Sequence, residues 1–175
     1  KDLASSLASG LLTVGPRFGG AVNGAAGAWL EGAESGKSPK QFVADFGGII
    51  PGIGHRKYRI DAPDPRVKAL VERFGRNGDG DRYLKFARGV EDITTKKKGN
   101  LILNVDGAIA AVMLDLLASE LGYGPDQLRD LVGIEFFNAI FILSRSIGFT
   151  AHYLDQRRHD EGLLRFGPDD ITYIP

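Results

Sequence analysis

The chain has 175 residues, enough for one good core or for one domain with a small companion. Hydrophobic residues make up 43% and charged residues 25%, as in a soluble globular protein, and Lys plus Arg equals Asp plus Glu at 22 each, so no net field draws the chain to nucleic acid or an anionic membrane. The lack of cysteine excludes disulfides, thiol catalysis and cysteine-ligated zinc, and fits a reducing, cytoplasmic setting.

Residue 1 is Lys1 rather than methionine, and the body of a helix begins at once, so the sequence reads as a segment of a longer chain. Leu3, Leu7 and Leu11 share one face of a helix over 2–12, which Gly15-Pro16 breaks. Small residues fill 21–34 ahead of Trp29 and Leu30, predicting a buried helix that packs closely on its neighbours. Ser38-Pro39 supplies a cap and first turn for a short helix over 40–46. Pro65 opens the next helix, in which Val67, Leu70, Val71 and Phe74 recur at amphipathic spacing. Residues 77–81 resemble half a calcium loop, but Arg82 stands where glycine is required and no glutamate closes it. A further amphipathic helix is expected over 83–93.

The lysine run Lys96-Lys97-Lys98 reads either as a solvated corner or as a phosphate-holding rim ahead of the apolar segment Leu101-Ile102-Leu103. Asp106 opens a helix over 107–121, as a plain N-cap or as a carboxylate with a use. The longest apolar stretches, 108–114 and 136–143, fall well short of the roughly 20 residues a membrane span requires. A long helix is expected over 125–147, apolar nearly all round in its second half, which suits a bundle centre or a subunit interface. Helix continues over 149–158, with His152, Asp155 and His159 on one side as a side-chain network or, less simply, a metal site. Every confident element is helical, so the class is all-α.

One loop stands out. Gly52-Ile53-Gly54-His55-Arg56, followed by Pro63-Asp64-Pro65-Arg66, lets the backbone approach a ligand while prolines keep it from turning helical. A rigid loop with a histidine and several arginines suits an anionic substrate.

Four segments then converge: this loop, Lys97-Lys98-Gly99-Asn100-Leu101-Ile102-Leu103-Asn104-Val105-Asp106-Gly107, Leu143-Ser144-Arg145-Ser146-Ile147-Gly148-Phe149, and His152-Tyr153-Leu154-Asp155-Gln156-Arg157. Together they resemble the citrate synthase superfamily over nearly the whole chain, most closely the citryl-CoA lyase branch found at the end of ATP-citrate lyases. The resemblance implies a partial citrate synthase-like helical fold: a large-domain remnant at 1–19, a small coenzyme A-binding domain at 20–105, and large-domain helices with a tail at 106–175. Arg17-Phe18, where plain citrate synthases usually carry a histidine, favours the lyase branch.

What the resemblance implies about chemistry is retro-Claisen cleavage of citryl-CoA to acetyl-CoA and oxaloacetate, with His55 as base and Asp106 as acid. Arg66 and Arg145 would hold substrate carboxylates, and Arg165 would do so from a neighbouring subunit. Ile50, Gly52, Ile53, Gly54, Arg56, Lys97, Lys98 and Asn100 would lie near coenzyme A, with no metal in this module. Expected partners are citrate or oxaloacetate, CoA thioesters, a homo-oligomer, and an ATP-grasp or succinyl-CoA-synthetase-like portion or subunit. A citrate synthase running the condensation, or an inactive oligomerisation core, are the alternatives.

Overall fold

The structure, a computed structural model, describes residues 2–15, 21–75 and 80–160. Within them the regular elements are helices: α1 (Leu3–Leu11), α2 (Ala21–Glu34), α3 (Pro39–Asp45), α4 (Pro65–Phe74), α5 (Arg82–Lys97), α6 (Val105–Leu121), α7 (Pro125–Gly133) and α8 (Phe136–Arg158). Isolated antiparallel bridges join Ile53 to Leu103 and Arg59 to Ala62. The all-α expectation holds, and no single described helix is long and apolar enough to cross a membrane.

The helix starts follow from local chemistry. Asp2 caps α1 by accepting from the Ser5 amide, Ser38 and Gln41 form a reciprocal capping box on α3, and Asp64 caps α4 with Pro65 at its first position. Gly122, at φ 69°, ends α6 in the left-handed conformation that glycine adopts without steric cost.

Three boundaries differ from the sequence reading. Helix α5 runs a turn beyond 93, to Lys97, because the Thr94 hydroxyl bonds the Val90, Glu91 and Leu101 carbonyls and the lysines sit at the negative end of the helix dipole. The cap of α6 is Asn104, not Asp106, which stands one position inside the first turn. The single helix expected over 125–147 breaks where Glu135 takes φ 59°, separating α7 from an α8 that continues through Gly148.

The chain divides into two compact units, Lys1–Thr13 with Leu143–Pro175, and Val14–Ile142. In the first, the Phe149 ring lies against Gly10, so close that a methyl there would meet it at 3.0 Å. The apolar run over 136–143 is only partly buried in this chain: Phe137 is fully buried, whereas Leu143 is 65% exposed, and Ile147 just beyond it 72%.

In the second unit, α2 packs on α5, α6 and α7, and α6 packs on α4 and α5, so residues on both sides of 105 share one core. Val22, Ala25, Ala26 and Trp29 are fully buried. Small residues on α2 make that approach possible, as their spacing predicted. The buried carboxylate of Asp115 on α6 accepts from the Tyr83 and Leu84 amides and so closes the N-terminus of α5. Burial pushes its carboxyl up to about 6 despite those two donors.

Candidate active site

The histidine loop is held by residues 99–104, a turn at 99–100 followed by a short stretch over 101–104 that leads into α6. The two run antiparallel and exchange bonds: the Gly54 amide donates to the Ile102 carbonyl at 2.7 Å, His55 to Asn100 at 3.0 Å, Ile60 to Gly99 at 2.8 Å, and Asn104 back to Gly52 at 2.9 Å. Side chains complete the clasp. Asn100 Nδ2 donates to the His55 carbonyl, and Asn104 Nδ2 to the Gly54 carbonyl at 3.0 Å, while Asn104 Oδ1 caps α6 through the Gly107 amide. One asparagine thus joins the histidine loop to the helix turn that carries Asp106.

Segment 101–103 is fixed on its other side by α5. Glu91 Oε1 accepts from the Leu103 amide at 2.8 Å and its other oxygen pairs with Arg88, while the Thr94 hydroxyl reaches the Leu101 carbonyl. These side chains do for the segment what a neighbouring strand would do.

Glycine at two positions sets the depth of the contact. Gly52 has φ 84°, and its Cα faces Gly107 in the first turn of α6; the Trp29 indole donates to the Gly107 carbonyl at 3.0 Å from the core side.

The His55 ring is oriented by its own backbone. Its Nδ1 accepts from the amides of Lys57 and Tyr58, each at 3.0 Å. With Nδ1 an acceptor, the proton of the neutral ring sits on Nε2. The expectation that neutral His55 serves as a base does not fit this bonding, because the nitrogen with the lone pair is already occupied and the other is a donor.

The Tyr58 ring packs on His55 at 4.7 Å between centroids, and the Arg66 guanidinium lies 6.0 Å from the centre of the same ring. Arg66 is also bound edge-on by Asp64, Nε to Oδ1 at 3.0 Å and Nη2 to Oδ2 at 2.7 Å. Burial opposes the Asp64 charge, but the hydrogen bonds and charge of Arg66, with a smaller contribution from His55, hold its carboxyl below the usual range. The same hydrogen bond raises Arg66, with Asp106 among the charges that favour its ionised form. His55, Tyr58, Asp64, Arg66 and Asp106 therefore share one electrostatic neighbourhood.

The remaining expected residues are placed as follows. Ile50 is buried in the core and the Gly52 and Gly54 carbonyls are engaged within the protein, whereas Arg56, Lys97 and Lys98 are exposed. Oδ1 of Asn100 is buried and accepts no hydrogen bond among the described residues, leaving an acceptor beside the histidine loop. Arg145, exposed on α8, belongs to the other unit, as do His152, Asp155 and His159. Arg165, Arg17-Phe18 and most of the calcium-like turn lie outside the described residues.

Sequence reasoning missed Asp64, Tyr58 and Glu91. Asp64 left a signal, the Asp-Pro-Arg order of a capped helix start; Glu91 left none, because its partner is a backbone amide 12 residues on.

Similarity to known proteins is extensive. A probable ATP-citrate synthase subunit 1 of Neurospora crassa is 45% identical over 177 residues, covering 99% of this chain but 26% of that protein. The structure of ATP citrate lyase from Methanothrix soehngenii, in complex with citrate and coenzyme A, superposes with a TM-score of 0.87 at 44% identity, over 100% of this chain and 29% of that one. Citryl-CoA lyase from Hydrogenobacter thermophilus gives 0.70 at 32% identity, over 100% and 64%. The chain spans about a quarter of the length of the fungal relative. The family model of the citrate synthase C-terminal domain matches residues 1–167, and the chain belongs to that family.

Proposed function

We propose that the chain carries part of a site that cleaves citryl-CoA to acetyl-CoA and oxaloacetate, within a longer polypeptide or assembly that makes citryl-CoA from citrate, ATP and coenzyme A. The observation that supports it is the clasp that ties the His55 loop to the turn of α6 carrying Asp106, with Arg66 gripped on one edge by Asp64 in the same electrostatic neighbourhood. In this reading Arg56, Lys97, Lys98 and Asn100 stand on the coenzyme A side of the site.

Breaking the bond between the tertiary carbon and the acetyl carbon leaves an electron pair that spreads onto the thioester oxygen. Nε2–H of His55 suits stabilisation of that oxygen. Asp106 in its acid form would give its proton to the acetyl carbon, completing acetyl-CoA. As the bond breaks, the tertiary hydroxyl loses its proton and becomes the oxaloacetate carbonyl. With His55 a donor, that proton passes to solvent water and balances the one that Asp106 gives up, so the step consumes no net proton. In the reverse direction Asp106 takes a methyl proton and His55 stabilises the same enolate. Arg66 suits a substrate carboxylate because a guanidinium pairs with it bidentately and stays charged. Arg145, and Arg165 of a neighbouring copy, are proposed as further carboxylate ligands.

The exposed Leu143, Ile147 and Leu154 along α8 support a homo-oligomer, and the proposed setting is cytoplasmic. In the full-length polypeptide, His55→Ala and Asp106→Asn should each lower citryl-CoA cleavage by about two or more orders of magnitude. The rate is read as oxaloacetate released. Near-normal turnover in either variant removes that residue from the mechanism.

A further inference from the structure

Arg66 is aimed rather than merely present. Its side chain is 52% exposed, and an arginine on a surface normally samples many rotamers, whereas the Asp64 carboxylate beside it is fully buried. A buried carboxylate is costly unless every oxygen is satisfied. Asp64 meets that condition with one residue: Oδ1 takes the Arg66 backbone amide at 2.9 Å and Nε at 3.0 Å, and Oδ2 takes Nη2 at 2.7 Å. The Nε and Nη2 edge of the guanidinium is consumed, and its Nη1 side and remaining Nη2 hydrogen face away from Asp64. Tyr58 lies against the guanidinium, 6.0 Å from ring centre to Cζ, and the same ring packs on His55 and has Lys57 Nζ 5.5 Å from its centre.

Resting on the reading that Arg66 binds a substrate carboxylate, we infer that Asp64 and Tyr58 are positioning residues: Asp64 grips one edge of Arg66, Tyr58 supports it beside His55, and the free edge is set for substrate before it arrives. A carboxylate then binds without the loss of side-chain freedom that an unrestrained arginine would incur. Pro65 between the two partners fixes the short path of chain over which the grip closes.

The grip can be separated from the helix cap. Asp64→Ser keeps an oxygen that accepts from the Arg66 amide, so α4 stays capped, but it cannot engage the guanidinium edge. In the full-length enzyme, Asp64→Ser should raise KM for citryl-CoA, and Kd for oxaloacetate, about tenfold, with kcat changed far less and the thermal midpoint nearly kept. Tyr58→Leu should raise both about threefold, while Tyr58→Phe, which keeps the ring, restores them.

A double-mutant cycle gives the decision. If Asp64 acts through Arg66, adding Asp64→Ser to Arg66→Ala costs no further affinity. Additive losses, or wild-type affinity in Asp64→Ser while Arg66→Ala is impaired, overturn the inference alone. An Arg66→Ala enzyme that binds and turns over normally overturns instead the carboxylate role on which it rests. Should Asp64→Ser not fold, Tyr58→Leu in the same cycle with Arg66→Ala decides the question by the same criterion.

Discussion

Gly52 and Gly107 touch backbone to backbone: a methyl group on Gly52 would stand 2.7 Å from the Gly107 Cα, and one on Gly107 would stand 2.8 Å from the Gly52 Cα. Real side chains do not approach so closely, so the histidine loop and the first turn of α6 are packed at the minimum separation a polypeptide allows. That contact sets His55, three residues after Gly52, and Asp106, immediately before Gly107, in a fixed relation.

Gly107→Ala should therefore destabilise the chain by about 2 to 3 kcal/mol through overpacking against backbone that cannot yield. Gly52→Ala adds the strain of φ 84° in a residue with a Cβ, about 1 to 2 kcal/mol more. Urea midpoints check this, and Trp29, the only tryptophan, fully buried against Gly107, reports the transition by fluorescence. Alanine variants as stable as the parent would show that the contact is loose.

Asn104 does two jobs that substitution can divide. Asn104→Asp retains an acceptor for the Gly107 amide but loses the donor to the Gly54 carbonyl, while Asn104→Ala loses both. The alanine variant should cost about 1 to 2 kcal/mol of stability. The aspartate variant should keep more stability yet lose about tenfold or more in cleavage rate, because the histidine loop is released and an anion faces a carbonyl oxygen. Equal activity in the parent and the aspartate variant would disconnect the loop from the chemistry.

The pH dependence has a source in Asp115, raised from an ordinary 3.8 to about 6 by burial. A folded carboxyl that holds its proton more tightly than the unfolded one contributes stability below the unfolded value and loses it as pH rises through the folded value. Stability from this group should fall between about pH 4 and 6, by on the order of 3 kcal/mol at most. Asp115→Asn removes the titration, so parent minus variant, measured by denaturant unfolding at several pH values, should decline across that window and be flat above it. A difference independent of pH would refute the assignment.

Glu91 is buried at 8% exposure and holds the Leu103 amide. Glu91→Gln keeps an acceptor for that amide and should cost little, whereas Glu91→Ala leaves it buried and unsatisfied, at about 1 to 3 kcal/mol. Calorimetric midpoints distinguish the two, and equal values would remove Glu91 from the support of segment 101–103.

Much of this protein was legible because its chemistry is local. Helix periodicity, the Ser38 cap, and the prolines at first turns act over a few residues, and the fold class follows from them. The errors also have local causes. Glu135 in the left-handed region broke a helix that composition alone would continue, and Asn104 took the cap that Asp106 seemed to offer.

From the sequence alone came the helical class, the glycine-histidine loop, the carboxylate that follows an aliphatic run, and the arginine after the prolines, each a residue type whose local pattern limits its use. Tertiary structure decided what those residues do to one another. His55 became a donor because two backbone amides fill its Nδ1, and Arg66 acquired a direction because Asp64 is buried beneath it. The loop and α6 became one unit because Gly52 and Gly107 admit no atom between them. Such relations depend on distances between residues as many as 55 positions apart in the chain, and no local propensity encodes a distance of that kind.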